Sequence, residues 1–505
     1  MGLIAWFKEK MKMLFKTDAE KAFGVETYLS PEMDAAIKLW GQLESGKPPW
    51  VKESDGRSVS FSNTVARELS KLITQNIDIK VQPAAGFTSR EKADFIQKAI
   101  DNYFSKLAQE KIERVIRLGG MMAKWDGDGI EYMPPDRFLV TSYSSNGDID
   151  GVIFLFYHTE KKKFYTRIEW HRYEDGTHIK DDGTTEKVRE YRISNKAFVS
   201  NQEGQIGSPI ELSQTTWSDI MPEFPPNGKS LEIKKPLFTY IKNPYSNTVD
   251  PDSPLGVSCF SECIEELRWL DIAFSTMGKE TKNSSPMMIV DQSVIQYATM
   301  NGIELPEFIE NVGNLDTGNG TGGSPVEMWQ PTLQVTTRTE GINFYLNVIA
   351  MKTGFSEGYF TFNEKSGLAT ATQVEADERR TINTMMSYRN ILDRPNSNGD
   401  GRVGAIHDIA YIIDVMSVIR ENNETKEIYV DSDSFGGYEI FCNFADPFQN
   451  TEEDRQRAYQ LMIQGIISKV YYLSKYEGFT EEEARAIVAE AKSENEPKDG
   501  LFGEE

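Results

Sequence analysis

The residues able to do chemistry are thinly spread along this 505-residue chain, and each grouping lacks a member. Gly318-Asn319-Gly320-Thr321-Gly322-Gly323 spells G-x-G-x-x-G, which could cradle a pyrophosphate. That chemistry needs a strand before the glycines and a helix after them, whose N–H groups meet the phosphates. Here Leu315-Asp316 precedes and Pro325 follows, and no Gly-Lys-Ser/Thr closes the run, so a flexible loop is expected. Asn396 to Gly401 resembles the first half of a calcium loop, but its twelfth position is His407, where a bidentate carboxylate is required. A tight polar turn is the simpler reading. His158, His171, His178 and His407 are scattered, and a triad would also need a nucleophile at a sharp turn. His171 and His178 fall in a predicted sheet beside Glu169, Arg172 and Glu174. Asp126 and Asp128 could be a glycosidase pair, yet Asp126-Gly127-Asp128-Gly129 is also ordinary turn chemistry. Cys259 and Cys263 share a face if helical and could be half of a metal site, but no cluster completes it, which favours core packing. With Cys442 they form an odd, sparse set unlike a secreted disulfide framework. This reading assigns no catalytic, cofactor-binding or metal residues and expects no enzyme; a carbohydrate-active hydrolase is the runner-up.

The formal charge is -23. That balance argues against tight wrapping of nucleic acid, where lysine and arginine must neutralise phosphates. It leaves room for a surface past which DNA slides without sticking, and it also serves solubility. Hydrophobic content of 39% suffices for a sizeable core, and the length suggests about three domains. Met1 to Lys16 mixes Ile4, Trp6, Phe7, Met11, Leu14 and Phe15 with Lys8, Lys10, Lys12 and Lys16. It reads as a helix docked on the subunit or a neighbour, with an interfacial membrane anchor as the alternative. It lacks an unbroken apolar run and a small-residue cleavage site, and position 6 is Trp where myristoylation wants Ser or Thr. No run reaches about 18 apolar residues, so no membrane span is expected.

The elements that would position these residues follow from period. From Pro31 to Phe104 the pattern is helical, with Phe61, Val65, Leu69 and Leu72, then Ile96, Ile100 and Phe104. A helix around Ile112 to Leu118 ends at Gly119-Gly120, and the period then becomes two. Gly129 to Tyr132, Arg137 to Val140, Gly151 to Tyr157, Phe164 to Trp170 and Val188 to Ile193 read as strands of a mostly antiparallel sheet. Asn146-Gly147, Asp175-Gly176 and Asp182-Gly183 are its expected turns. Ser253-Pro254 predicts the start of a helix of about 25 residues, striped by Phe260, Ile264, Leu267, Leu270, Phe274 and Met277. Two helices alone cannot bury that stripe, so it is expected to pack on neighbouring copies. A compact segment from Pro286 to about Thr336 follows, with Met287 to Val290, Ile295 to Met300 and the glycine-rich Thr317 to Ser324. A second long helix, about Arg338 to Thr353, turns Ile342, Leu346, Ile349 and Ala350 inward. Then comes a polar loop, about Glu357 to Ser366, bracketed by Gly358 and Gly367 and expected to be mobile. The helix after it, about Thr370 to Leu392, opens with capping-box spacing at Thr370 and Gln373 and at Thr372 and Glu375. Val403 to Ile419 is an apolar helix, and Glu427 to Val430 with Tyr438 to Phe444 suggests a strand pair rejoining the first sheet. Ala458, Leu461, Met462 and Ile466 mark one further helix, and Thr480 with Glu483 opens another. The acidic tail from Ser493 is expected to be disordered.

This order of elements resembles the portal proteins of tailed phages, the siphophage type in particular. The resemblance lies in Leu118 to Lys124 leading to Ile130 to Phe138, in Arg167 to His171 with Tyr191 to Ile193, and in Pro251 to Gly256 before a long helix. Ser366 to Glu375 and Gln464 to Ser468 extend it over nearly the whole chain. It implies an α+β portal-like subunit: a wing (1–250), a first stem helix (251–285) and a small α/β clip (286–336). A second stem helix (337–356), a tunnel loop (357–369) and the helix after it (370–395) follow. A return to the wing (396–449) and a crown with its acidic tail (450–505) complete it. It implies a homo-oligomeric, twelve-fold ring at one capsid vertex of the virion, assembled in the host cytoplasm, through which double-stranded DNA is packaged and ejected. Implied partners are the packaging ATPase (the terminase large subunit), the head-to-tail adaptor, and the major capsid and scaffolding proteins; no membrane is implied. Asn363, Glu364, Lys365 and Ser366 would face the DNA. Gly318, Gly320 and Gly322 would mark the motor-docking tip. The stripe from Phe260 to Met277 would form the ring seam.

Overall fold

A computed structural model describes residues 16–495, apart from 52–57, 76, 88, 128, 180–184, 227–230, 284–286, 291, 305–308, 312–325, 330–331, 363–370, 397–400, 422–427, 432, 445–450, 478 and 480. Expectations for Met1 to Phe15, Asp128, Asp182-Gly183, Gly318, Gly320, Gly322, Asn363 to Ser366, Thr370, Thr480 and the tail beyond Asn495 therefore lie outside the described residues.

The chain separates into two compact units, one of residues 1–366 with 377–444 and the other of 367–376 with 445–505. In the larger, residues 16–23 are helical and four further helices follow. Helix α1 (Pro31–Glu44) starts where the Ser30 side chain accepts the Met33 N–H and Pro31 occupies the first turn. Helices α2 (Phe61–Thr74), α3 (Glu91–Tyr103) and α4 (Ala108–Leu118) bury Val65, Leu69, Ile96, Ile100, Ile112 and Val115 in one core. Between α2 and α3 lies a strand that the helical reading missed, β1 (Ile77–Pro83). Ile79 and Val81 alternate inward on it, and its partner is Tyr438–Phe444, far along the chain. A local window cannot see that partner.

Gly119, at φ +88°, stops α4 and turns it into β2 (Gly120–Trp125), which pairs with β3 (Ile130–Met133). Next come β4 (Phe138–Tyr143), β5 (Ile149–Glu160), β6 (Lys163–Ile179), β7 (Thr185–Ser200) and β8 (Ser208–Ile210). These five run in sheet order, with β9 (Glu223–Phe224) attached to β7. Strand β10 (Phe238–Lys242) returns to β2. The Asn146-Gly147 turn is present between β4 and β5, with Gly147 at positive φ. Asp175-Gly176 is not a turn: both residues lie inside β6, opposite Arg189 and Val188. The missing Cβ of Gly176 leaves room for the Glu190 side chain, which one would meet at 2.3 Å.

Residues 253–263 do not form the helix expected from Ser253-Pro254; α5 spans Ile264–Asn283. The earlier stretch is threaded into the core. Cys259 N–H bonds the Ile116 carbonyl, and Asn243 Nδ2 donates to the Val257 and Ile116 carbonyls. Gly119 and Gly256 touch backbone to backbone: a Cβ on Gly119 would lie 2.6 Å from the Gly256 oxygen, and one on Gly256 2.1 Å from the Gly119 oxygen. These contacts hold the stretch out of the helical geometry that its N-cap signal favours.

A small α/β insertion follows α5: β11 (Met287–Val290), α6 (Gln292–Met300), β12 (Ile309–Asn311) and β13 (Val326–Trp329). Its strand order is β12-β11-β13, the first pair parallel and the second antiparallel. Then come α7 (Val335–Lys352), α8 (Ala371–Leu392), the short pair β14 (Arg394–Pro395) and β15 (Arg402–Val403), and α9 (Ala405–Val418). Strand β16 (Ile419–Glu421) pairs with β17 (Ile428–Val430), while β18 (Tyr438–Phe444) pairs with β1. The expected pairing of the last two strands with each other, and their return to the first sheet, are thus corrected. The tight end of α9 supplies β16 as a nearer partner for β17.

The smaller unit contains α10 (Thr451–Ile463), α11 (Lys469–Tyr476) and α12 (Glu481–Asn495). Gly465 at φ +73° follows α10, so Ile466 lies beyond it, not within the helix as the apolar spacing suggested. Ser468 then caps α11 through the Tyr471 N–H, and Arg455 grips both carboxylate oxygens of Glu477 at 2.9 and 3.0 Å.

Candidate assembly site

Helices α5 and α7 form an antiparallel pair fastened at both ends. At the N-terminus of α5, Lys352 Nζ meets Glu266 at 2.6 Å and the Glu262 carbonyl at 2.8 Å. At its other end Glu280 accepts the Gln334 N–H at 3.2 Å and Arg338 Nε at 2.9 Å. The Gln334 N–H, then Arg338, hold the Glu280 carboxyl below its usual range. The 20 residues of α5 make a rod about 30 Å long. The α/β insertion leaves and rejoins at the Glu280–Arg338 end, so it sits at one tip of the pair.

The inward faces are already used within the chain. Phe260, Leu267 and Leu270 are buried in the same core as Ile342, Leu346, Ile349 and Ala350, and Ile264, Phe274 and Met277 pack against it. Phe260 precedes α5 altogether. Phe260, Leu267 and Leu270 of the stripe expected to form a seam are therefore covered within one chain, while Ile264, Phe274 and Met277 are only half-buried. That cover comes from the helices of the larger unit, on which α5 and α7 rest.

The outward face carries the unpartnered apolar surface. Trp269 (48% exposed), Ile272 (40%), Phe344 (64%) and Met351 (48%) project from the pair. Trp269, Ile272, Ala273, Gly341 and Tyr345 border an open groove of about 320 Å3 between the helices. A Cβ on Gly341 would meet nothing within 4 Å. The sequence held a signal for this face. Trp269, Ile272 and Ala273 recur at helical spacing opposite the first stripe, which makes α5 apolar on two sides.

The segment after α7 was expected to be mobile from Glu357; its described part is tied down. Two asparagines four apart on α7 hold it: Asn347 Oδ1 accepts the Gly358 N–H at 2.9 Å, and Asn343 Oδ1 the Phe362 N–H at 3.1 Å. Thr381 and Thr384 of α8 bond Ser356 and the Gly354 carbonyl, and Phe355, Tyr359 and Phe360 pack against one another tilted or edge-on. The chain thus runs back along α7 before residue 363.

The sheet holds a buried ionic group. Glu169 receives Lys124 Nζ at 2.6 Å, Arg167 at 2.8 Å and His171 Nε2 at 2.8 Å. Tyr191 accepts the Leu237 N–H, and its own proton goes to His171 Nδ1 at 2.6 Å. His171 therefore carries its proton on Nε2 and donates it to Glu169. Burial opposes the Glu169 charge, but Lys124, His171 and Arg167 outweigh it and hold the carboxyl far below its usual range. Burial pushes the His171 pKa down, keeping the ring neutral. The group has the makings of acid–base chemistry but no access: Lys124 and His171 are each 1% exposed. His158 lies on β5, beside Tyr165 and Trp217. Asp126 caps the Gly129 N–H, as turn chemistry suggested.

Cys259 and Cys263 are buried free thiols whose pKa burial raises, that of Cys263 to about 12. The third cysteine has company that sequence spacing could not reveal. Asp393, His407 and Cys442 place their donor atoms within 4.8 Å of one another. Asp393 is paired bidentately with Arg402 at 2.7 and 2.6 Å, and its Oδ1 also meets His407 Nε2 at 2.8 Å. Burial opposes the Asp393 charge; these bonds prevail and keep its carboxyl below the usual range. Burial, then Asp393, lifts the Cys442 thiol to about 12. No helix among the described residues is long and apolar enough to cross a membrane.

No protein-family model matches the chain, and no curated protein is significantly similar to it. Among solved structures, the neck of a native GTA particle computed with C12 symmetry aligns over 83% of this chain and 89% of that chain. Identity is 9% and the TM-score 0.36. The neck of an empty GTA particle computed with C6 symmetry aligns over 89% and 94%, at 8% identity and a TM-score of 0.37. Superpositions this loose establish neither a shared fold nor a shared role.

Proposed function

We propose that the chain is one subunit of a portal-type ring that conducts double-stranded DNA at a capsid vertex. The observation that carries the proposal is the outward apolar face of a fastened helix pair with an α/β insertion at one tip. The order of sequence motifs supports the same reading. Exposed patches built of Trp269, Ile272, Phe344 and Met351 mark a surface that association covers. Copies arranged about an axis bury each other's outward faces, and the helix pairs line a conduit. The insertions then lie together at one end, where a packaging ATPase and a head-to-tail adaptor dock in turn. The -23 charge suits a conduit, because its field repels phosphate and contacts stay loose. Lys365 beside Glu364 would offer weak, salt-sensitive contact to DNA in the channel. The hydrolase reading has less to stand on, since the sheet acid best placed for it, Glu169, is sealed beneath Lys124 and Arg167.

Negative-stain imaging and native mass measurement of the purified protein test this. Rings of about a dozen subunits are expected. A wild-type protein that stays monomeric at all concentrations overturns the portal reading. Phe344→Asp should dissolve the ring while shifting the monomer's melting by no more than a few degrees, because the side chain is 64% exposed. Intact rings in that variant would remove Phe344 from the contact and leave the portal reading standing.

A further inference from the structure

We infer that Asp393, His407 and Cys442 form a binding site for a borderline transition-metal cation, Zn2+ being the best match, that ties together three distant parts of the chain. The inference is independent of the ring. Asp393 follows the end of α8, His407 lies in the first turn of α9, and Cys442 is on β18. Their oxygen, nitrogen and sulfur donors lie within 4.8 Å of one another; ligands of a tetrahedral ion sit roughly 3.3–3.8 Å apart, so the Asp393–His407 pair at 2.8 Å opens slightly and the thiol closes in. One thiolate, one imidazole and one carboxylate make a donor set that suits Zn2+ and not Ca2+ or Mg2+. Three protein ligands leave the fourth position to water.

Arg402 is the feature that must be reconciled with a cation. A carboxylate with no exposed surface needs a counter-charge, and Arg402 supplies it through two hydrogen bonds. Its own side chain is 39% exposed and rises from a two-residue strand, so its guanidinium has a path to solvent. On metal binding it swings to solvent and gives up Asp393 to the ion, so Arg402 competes with the metal for the same carboxylate. His407 moves its proton from Nε2 to Nδ1 and exchanges its bond to Asp393 for one to the metal, and Cys442 gives its proton to solvent. The bound ion would join β18, the last strand of the larger unit, to the α8–α9 corner.

The test uses the intact protein with Co2+ and Zn2+ alone. Stoichiometric Co2+ should produce the near-ultraviolet sulfur-to-metal absorption of a thiolate ligand, and Zn2+ should displace it. Cys442→Ser should abolish that absorption. His407→Gln should weaken Zn2+ binding by roughly 100-fold, at least the loss seen for outer-shell changes. Arg402→Ala should tighten it, because the competing cation is gone. Absence of the thiolate band, its persistence in Cys442→Ser, or Zn2+ affinity unaffected by Arg402→Ala would overturn the site and leave an ion pair only.

Discussion

The six-stranded sheet and the α5–α7 pair solve opposite problems. The sheet takes charged groups inside and satisfies them there: Glu169 alone gathers Lys124, Arg167 and His171. The helix pair does the reverse, placing the ion pairs between its helices at the two ends and leaving Trp269 and Phe344 in solvent. Hydrogen bonds and opposite charges close the first within one chain. Only more apolar surface can close the second. A buried group is thus not by itself a functional site in this molecule, and an exposed one is not by itself an accident.

The sharpest way to break this contrast is to charge the inner face of the pair. Leu267→Asp places a carboxylate in a position 4% exposed, and should cost roughly 3–5 kcal/mol of folding stability. Chemical denaturation at low protein concentration would measure it. If the variant loses only its ring and keeps its stability, Leu267 belongs to a contact between copies after all.

Acid should act next, and on the sheet. His171 has its folded pKa below 6.5 and Glu169 has its own below 4.5, so the unfolded chain binds more protons in both cases. Their contribution is complete above neutrality, begins to fade as pH falls through 6.5 and fades further below 4.5. A loss on the order of 2 kcal/mol between pH 7 and pH 4 is expected from such a carboxylate and imidazole. His171→Leu should remove the upper part of that dependence. A stability profile flat from pH 7 to pH 4 would show the group is not buried as described.

The smallest expected effect is at the tether behind the pair. Asn347→Ala removes the acceptor of the Gly358 N–H and should cost about 1 kcal/mol, while raising hydrogen exchange at that amide. Asn347→Asp keeps an acceptor and should restore protection. Unchanged exchange in both variants would mean that the segment is held without the Asn347 bond, by its aromatic cluster and the α8 threonines.

Much of this was legible from residue types. The inward residues of α7 and the β11–α6 insertion follow from period, because each is decided by neighbours a few positions away. What failed was decided at long range. Ser253-Pro254 carries a sound helix-start signal that the packing of Gly256 on Gly119 overrides. Asp175-Gly176 carries a sound turn signal that sixteen residues of cross-strand pairing override. The trio of Asp393, His407 and Cys442 was invisible for a different reason. Asp393 and His407 are 14 positions apart, and the thiol comes from a strand paired with β1. No spacing rule covers ligands brought together by a corner and a sheet edge.

The fastening at the tip of the helix pair has a genetic consequence. Glu280 touches both Gln334 and Arg338, so the chain departs for the insertion and comes back at nearly the same point. A segment whose two ends adjoin can be lengthened, shortened or exchanged without moving its host. The stretch between Glu280 and Gln334 is therefore where a recombination event can exchange a whole segment in one step and leave the rest of the architecture undisturbed.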